Sequence, residues 1–310
     1  MRVMTQNIIE VRGLSRSYGG ADKRRPYTAV RNATFRVQRG EILGLLGTNG
    51  AGKTSLLEMV EGLASPTSGT VRIYGLDPYK ERRLLRPEVG IMLQSGGLPR
   101  QLTVRETLAM WAGTLSTPLP VAEVAEAVGL SHRMDVRVGA LSGGEQRRLD
   151  LGCALAGNPS VVFLDEPTTG LDPESRHHSW ELLKRLRERG TTMILTTHYM
   201  EEAEFLCDRI ALMHRAEIVR TGTLTDLVAE EDSRLAFRSP VAAPDIFSGA
   251  YTRDGTLHEV RTRDLQRDAL AALEWARTEQ IGLSEFSAQP ATLESVFLSL
   301  TQRLPSTPTP

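Results

Sequence analysis

Eight consecutive residues, Gly47-Thr48-Asn49-Gly50-Ala51-Gly52-Lys53-Thr54, constrain this chain more than any other segment. They follow the apolar run at 42–46 and precede the apolar-periodic stretch at 55–60, so the pattern GxxxxGKT stands in the strand–loop–helix setting that its chemistry requires. Glycines 47, 50 and 52 permit backbone angles closed to other residues, and successive N–H groups can then turn inward around a polyphosphate. The loop, 47–55 with Ser55 at its end, feeds a helix N-terminus, whose unpaired N–H groups and partial positive charge favour an anion. Lys53 is placed to reach the outer phosphates and the Thr54 hydroxyl to ligate Mg²⁺. The plain alternative, a Gly-rich turn without chemistry, is disfavoured by the spacing and the flanks.

A second constellation narrows the reading. Leu141-Ser142-Gly143-Gly144-Glu145-Gln146 opens a helical run ending near Ala156, and a short loop then leads to Val161-Val162-Phe163-Leu164-Asp165-Glu166. The first resembles the signature sequence of the ABC ATPase family and the second its Walker B strand. Gln94 resembles the family's Q-loop glutamine, Thr169-Gly170-Leu171-Asp172 its D-loop and His198 its switch histidine, in the family's order. The resemblance covers roughly residues 7 to 222. It implies an α/β P-loop ABC ATPase cassette with a RecA-like core, an antiparallel β subdomain and a helical subdomain. The expected division is a nucleotide-binding domain at 7–225, a small α+β accessory domain at 226–302 and a disordered tail at 303–310, which is only Pro, Ser, Thr, Arg and Leu.

Composition agrees with an ordinary globular protein, 40% hydrophobic and 24% charged. The formal charge of −1 gives no footprint for nucleic acid. Two cysteines, Cys153 and Cys207, are too few for a disulfide framework and read as buried thiols. No run approaches the roughly 18 apolar residues of a membrane span, and residues 1–9 lack a signal-peptide core. The expectation is a cytoplasmic chain that leaves membrane work to another polypeptide.

Residues 7–14 and 29–37 alternate enough to be strands, joined by a polar link that holds Lys23-Arg24-Arg25 and reads as a solvated loop, a headgroup or partner contact being the sharper alternative. Strands are expected at 70–74 and 89–93, the second delivering Gln94. From 103 to 128 the pattern is helical and broken by Pro118 and Pro120, matching the family's helical subdomain. Strands at 161–164 and 193–196 flank a helix at 173–189, a βαβ unit that implies parallel pairing. In the accessory region, strands are expected at 234–238, 258–262 and 281–287, with helices at 264–278 and 291–300.

Asp165 follows four apolar residues and so lies at the carboxyl end of a buried strand, where α/β sheets bind ligands. The resemblance implies that Asp165 and Gln94 serve Mg²⁺ with Thr54, that Glu166 polarises the attacking water, and that His198 contacts the γ-phosphate and holds Glu166 and the water in line. Tyr18 resembles the aromatic that stacks on adenine, with Tyr27 as the competing choice. By resemblance, Ser142, Gly143 and Gly144 close over nucleotide held by a second chain, so a homodimer or a related partner ATPase is implied, and Asp172 of the D-loop is a further nucleotide-binding residue. The function implied is an ATPase subunit that drives export through a separate transmembrane permease on the inner face of the cell membrane. The end of the chain and the stretch IMLQSGGLPRQLTVRETL at 91–108 resemble the drug- and antibiotic-resistance exporters. An importer ATPase is the runner-up. A DNA-maintenance ATPase would need a long coiled coil between Lys53 and Ser142, and a translation factor would need two cassettes.

Overall fold

The computed structural model describes residues 7–19, 27–94 and 96–303. The basic triplet at 23–25 and the tail from 304 lie outside the described residues. In chain order the main elements begin with β1 (Asn7–Tyr18), β2 (Tyr27–Gln38), β3 (Ile42–Gly47), α1 (Lys53–Val60), β4 (Ser68–Ile73), α2 (Arg82–Leu85) and β5 (Val89–Met92). There follow α3 (Val104–Ala112), α4 (Val121–Ala127), α5 (Gly143–Leu155), β6 (Val161–Asp165), α6 (Pro173–Glu188), β7 (Thr192–Thr197), α7 (Met200–Leu206), β8 (Arg209–His214) and β9 (Glu217–Gly222). The chain divides between Thr223 and Leu224 into two compact units.

In the first unit the main sheet runs β5-β6-β7-β3-β8-β9, parallel except for the antiparallel β9 edge. Strands β3, β6 and β7 are buried along their whole length, as befits parallel strands covered on both faces. Their side chains divide between two cores. Strand β6 sends Val162 and Leu164 under the helical layer with Leu108, Val124, Leu151 and Leu183, and Val161 and Phe163 under α1 and the antiparallel sheet β2-β1-β4. Burying each such side chain contributes about 1.5–3 kcal/mol. Gly44 in β3 has no room for a side chain, because a Cβ would overlap the Cys207 sulfur.

This topology sets the site. Strands β5, β6, β7 and β3 are successive neighbours, so the loops leaving their carboxyl ends lie side by side. Those loops carry Gln94, Asp165–Glu166, His198 and 48–52 respectively. Register fixes the alignment: Asp165 pairs with Thr196, and Leu46 with Thr197.

The expected helical stretch at 103–128 is α3 and α4, separated around Pro118 and Pro120. Helix α3 starts on a capping box in which Thr103 accepts from the Glu106 N–H and the Glu106 carboxylate accepts in return. Strands β8 and β9 were not anticipated. Cys153 is buried, Cys207 is half-buried, and both are free thiols. Among the described residues no helix is long and apolar enough to cross a membrane.

The second unit comprises α8 (Leu224–Val228), β10 (Ser233–Arg238), β11 (Ala250–Asp254), β12 (Leu257–Thr262), α9 (Leu265–Thr278), β13 (Ser284–Gln289) and α10 (Leu293–Arg303). Its antiparallel sheet runs β11-β12-β10-β13, one strand more than expected, and α9 packs on it through Ala272 and Trp275 against Leu235, Phe237 and Val260. Inside this core His258 stacks on Phe237 and meets the Tyr251 hydroxyl at 2.8 Å. In α10, Leu293 and Val296 are fully buried while Phe297 and Leu300 are half-buried.

Candidate active site

The loop at 48–52 is shaped by two left-handed glycines, Gly50 (φ 79°) and Gly52 (φ 101°). A Cβ on Gly52 would overlap the Ala29 carbonyl, whereas Gly50 faces open space, so only the first is also fixed by packing. Helix α1 has Gly52 as N-cap and no side-chain cap, which leaves its first-turn N–H groups for an anion. Thr48, Asn49, Gly50 and Thr54 are exposed along the rim, and Ala51 anchors the loop by donating its N–H to the Thr48 carbonyl at 3.1 Å. Lys53 is buried and folds back over the loop, its Nζ donating to the Gly47 carbonyl at 2.8 Å and the Thr48 carbonyl at 3.3 Å. Burial lowers the pKa of Lys53, and the nearby carboxylates of Glu166 and Asp165 oppose that shift without cancelling it.

The Tyr18 hydroxyl lies 3.3 Å from Ser55 Oγ, and the Arg16 guanidinium stands over the Tyr18 ring at 4.6 Å. Tyr27 is the cross-strand partner of Tyr18, so both candidate aromatics sit at the same end of the β1–β2 pair.

Two adjacent carboxylates face the loop. Asp165 Oδ1 accepts from the Thr196 hydroxyl and, at 3.4 Å, from the Thr54 hydroxyl. Glu166 is the hub. Its Oε2 accepts from Gln94 Nε2 at 3.2 Å and the Thr169 hydroxyl at 3.1 Å, and its Oε1 lies 3.2 Å from His198 Nδ1 and 3.8 Å from Lys53 Nζ. Burial raises the Glu166 carboxyl, but the hydrogen bond and charge of His198, the Thr169 hydroxyl and Lys53 outweigh it, and its pKa is lowered overall. Glu166 is therefore ionised near neutral pH. The donor set of Thr54 hydroxyl, Asp165 carboxylate and Gln94 amide oxygen suits a hard cation such as Mg²⁺, which takes one or two carboxylates and leaves room for phosphate oxygens.

The helix that opens at Ser142 is built differently. Ser142 Oγ accepts from the Glu145 N–H at 3.2 Å, Glu145 Oε2 accepts from the Ser142 N–H at 2.8 Å, and Arg133 Nε donates to Glu145 Oε1 at 2.7 Å. Gly144 packs so closely on Ser175 that a Cβ would meet it at 2.6 Å, while a Cβ on Gly143 would meet nothing. Asp172 caps α6 by accepting from the Ser175 N–H at 2.9 Å, and this bond holds its carboxyl below the usual range. Lys53, Thr54, Gln94, Asp165, Glu166 and His198 thus converge, whereas no described hydrogen bond or ion pair joins Ser142, Gly143, Gly144 or Asp172 to them.

Sequence reasoning overlooked several supports. Thr196 ties the Asp165 carboxylate to the Glu166 backbone, its hydroxyl donating to Asp165 and accepting the Glu166 N–H at 2.9 Å. Thr168 and Trp180 both donate to the buried Glu202 of α7, at 2.7 Å and 3.0 Å. Arg147 is buried in α5 and bonds to four main-chain carbonyls around the site. Its signal was available: Gly144, Leu151 and Ala154 share its helical face and are buried, and an arginine on such a face must find acceptors inside.

Comparisons with known proteins identify the family. Residues 30–169 match the family described as ABC transporter, and residues 233–292 match the family described as the C-terminal domain of ABC transporter domain-containing-like proteins. The linearmycin resistance ATP-binding protein LnrL of Bacillus subtilis is 35% identical over 316 residues, spanning 96% of this chain and 99% of that protein. The Nod factor export ATP-binding protein I of Paraburkholderia xenovorans is 37% identical over 311 residues, spanning 97% and 99%. Among solved structures, an ATP-binding cassette captured as a dimer after hydrolysis with ADP and Pi aligns with a TM-score of 0.62 at 25% identity, covering 70% of this chain and 98% of the other. The cbiO1 subunit of an ABC transporter complex from Clostridium perfringens aligns with a TM-score of 0.63 at 26% identity, covering 72% and 91%. Cassette, carboxylate pair and near-full-length relatives concur: the chain belongs to the ABC transporter family, as one of its ATP-binding, ATP-hydrolysing subunits.

Proposed function

We propose that this chain hydrolyses Mg²⁺-ATP in composite sites made by two copies and thereby powers export through a separate transmembrane permease at the cytoplasmic face of the membrane. The observation that carries the catalytic part is the convergence of Gln94, Thr169, His198 and Lys53 on one ionised carboxylate, Glu166. The loop at 47–55 and Lys53 bind and orient the phosphates, with Tyr18 against the base. Bound Mg²⁺, held by Thr54, Asp165 and Gln94, would supply charge neutralisation at the phosphate oxygens. Glu166 orients the attacking water and takes its proton as the new oxygen–phosphorus bond forms and the bond to ADP breaks, while His198 fixes the carboxylate from its other side.

Two features support a second chain. The Ser142 end of α5 makes no described bond to the carboxylate cluster, and a Cβ on Gly143 would meet no described residue of its own chain. Export is supported by the two near-full-length relatives, one named for linearmycin resistance and one for Nod factor export. For the permease, we assign the segment 94–102, which follows β5 in the chain. Residues 226–302 are assigned an accessory role in assembly.

Replacing Glu166 with Gln keeps size and removes the proton acceptor. Hydrolysis should fall about 10²-fold or more while ATP affinity persists. Near-normal turnover in Glu166→Gln would refute the assignment.

A further inference from the structure

Arg147 lies five residues after Ser142 in α5 and is 9% exposed. Its guanidinium is used almost wholly on main chain. Nε donates to the Pro167 carbonyl at 3.2 Å, Nη1 to the Leu93 carbonyl at 2.9 Å, and Nη2 to the carbonyls of Asp165 at 3.0 Å and Glu166 at 2.8 Å. Those acceptors are the residue just before Gln94 and the three residues centred on Glu166. Three consecutive carbonyls can face one guanidinium only because the backbone turns sharply at Glu166, which sits in the left-handed region with φ 47°. A glutamate is held there only where its surroundings over-determine it. The Glu166 N–H is tied to Thr196, so Arg147 closes the other side of the turn.

A buried cation needs compensation, and Asp150, one turn further along α5, places its carboxylate 3.7 Å from Nη1. The segment after Gln94 is pressed onto the same group: a Cβ on Gly96 would overlap the Asp150 carboxylate. One side chain of α5 therefore grips both strand-end loops that carry the Gln94–Glu166 pair.

We propose that Arg147 is a positioning residue for hydrolysis, holding the turn at Glu166 and the start of the Gln94 segment in one register with α5. Displacement at the Ser142 end of α5 then reaches the turn at Glu166 through three main-chain hydrogen bonds, and the Gln94 segment through a fourth, on a single planar group. The inference rests on the reading of Glu166 as the residue that acts on water. Lysine keeps the charge but offers one nitrogen and cannot span acceptors that need the guanidinium fork.

The test compares Arg147→Lys, Glu166→Gln and the double variant in the full chain, with thermal unfolding as the check on folding. Arg147→Lys should lower kcat about 10²-fold, as small misplacements of a reacting group do, and leave the KM for ATP within about threefold because Arg147 makes no bond to the loop at 47–55. In the Glu166→Gln background the same change should add less than about twofold, because both act on one group. Arg147→Gln, which keeps an amide for some of the carbonyls, should fall between and serves where the lysine variant does not fold. If Glu166→Gln is impaired but Arg147→Lys turns over normally, raises KM in proportion, or adds its full loss in the double variant, the positioning role is overturned. Near-normal turnover in Glu166→Gln itself overturns both that reading and this one.

Discussion

The N-termini of α1 and α5 carry the same elementary property, unpaired N–H groups and a partial positive charge, yet they are finished in opposite ways. Helix α1 begins on a left-handed glycine with no side-chain cap, and Lys53 lies back across the loop. Helix α5 begins on a complete capping box, reinforced by Arg133 on Glu145. The first end is left open for an anion bound by its own chain. In the second, the Ser142 and Glu145 N–H groups are taken up within the chain while no described hydrogen bond uses those of Gly143 and Gly144, which suits a surface that waits for a partner's nucleotide. In this account the same physics thus serves one resident and one visiting phosphate.

The largest expected effects separate the two ends. Lys53→Ala should abolish tight binding by the chain's own loop and reduce hydrolysis about 10²-fold or more, whereas Ser142→Arg should abolish hydrolysis with ATP binding by the isolated chain unchanged. Calorimetry with ATP, beside steady-state hydrolysis, reads both. Loss of ATP binding in the Ser142 variant would erase the distinction.

Stability sharpens the comparison at the other end of α1. Glu61 is its C-cap residue, buried, with Oε1 unpartnered, and burial first and then the charges of Asp165 and Glu58 push its carboxyl up to about 8. A carboxyl raised on folding contributes least cost below its unfolded value of about 4.5, and stability is lost as pH rises toward about 8. Glu61→Gln should therefore melt close to wild type at pH 4.5 and gain by about 1–3 kcal/mol at pH 8, the gap opening between those values. A gap that is flat with pH would contradict the burial of this charge.

The two glycines of α5 should part company next. Gly144→Ala must displace Ser175 and should destabilise the cassette by about 1–3 kcal/mol, while Gly143→Ala, with nothing near its Cβ, should melt within about 0.5 kcal/mol of wild type. If Gly143→Ala also hydrolyses ATP normally, nothing closes over that surface. Smallest of all is the cap: Ser142→Ala should cost about 1 kcal/mol by loss of one accepted N–H, measurable by chemical denaturation.

What could be read from the chain follows the same division. Residues at strand ends were legible because an apolar run delivers each of them: β3 to the glycine loop, β5 to Gln94, β6 to Asp165 and Glu166, β7 to His198. The supports were less so. Arg147 and Thr196 act on or beside main chain, and a carbonyl acceptor leaves no letter in the sequence. Strand β8 holds an apolar run, Ile210 to Met213, that is fully buried and readable, but its partner β9 is half-buried and polar and gives little alternation. Strand β11 is an exposed edge in which only Tyr251 is half-buried, so no period of two was there to find.

The most direct measurement is the oligomeric state of Glu166→Gln with saturating Mg²⁺-ATP, by sedimentation, with and without Ser142→Arg in the same chain. The account predicts an ATP-dependent dimer for Glu166→Gln, and an ATP-loaded monomer once Ser142 is also replaced. A double variant that still dimerises on ATP, or a Glu166→Gln chain that binds ATP and stays monomeric, would contradict the claim that the α5 end completes a site on a second copy.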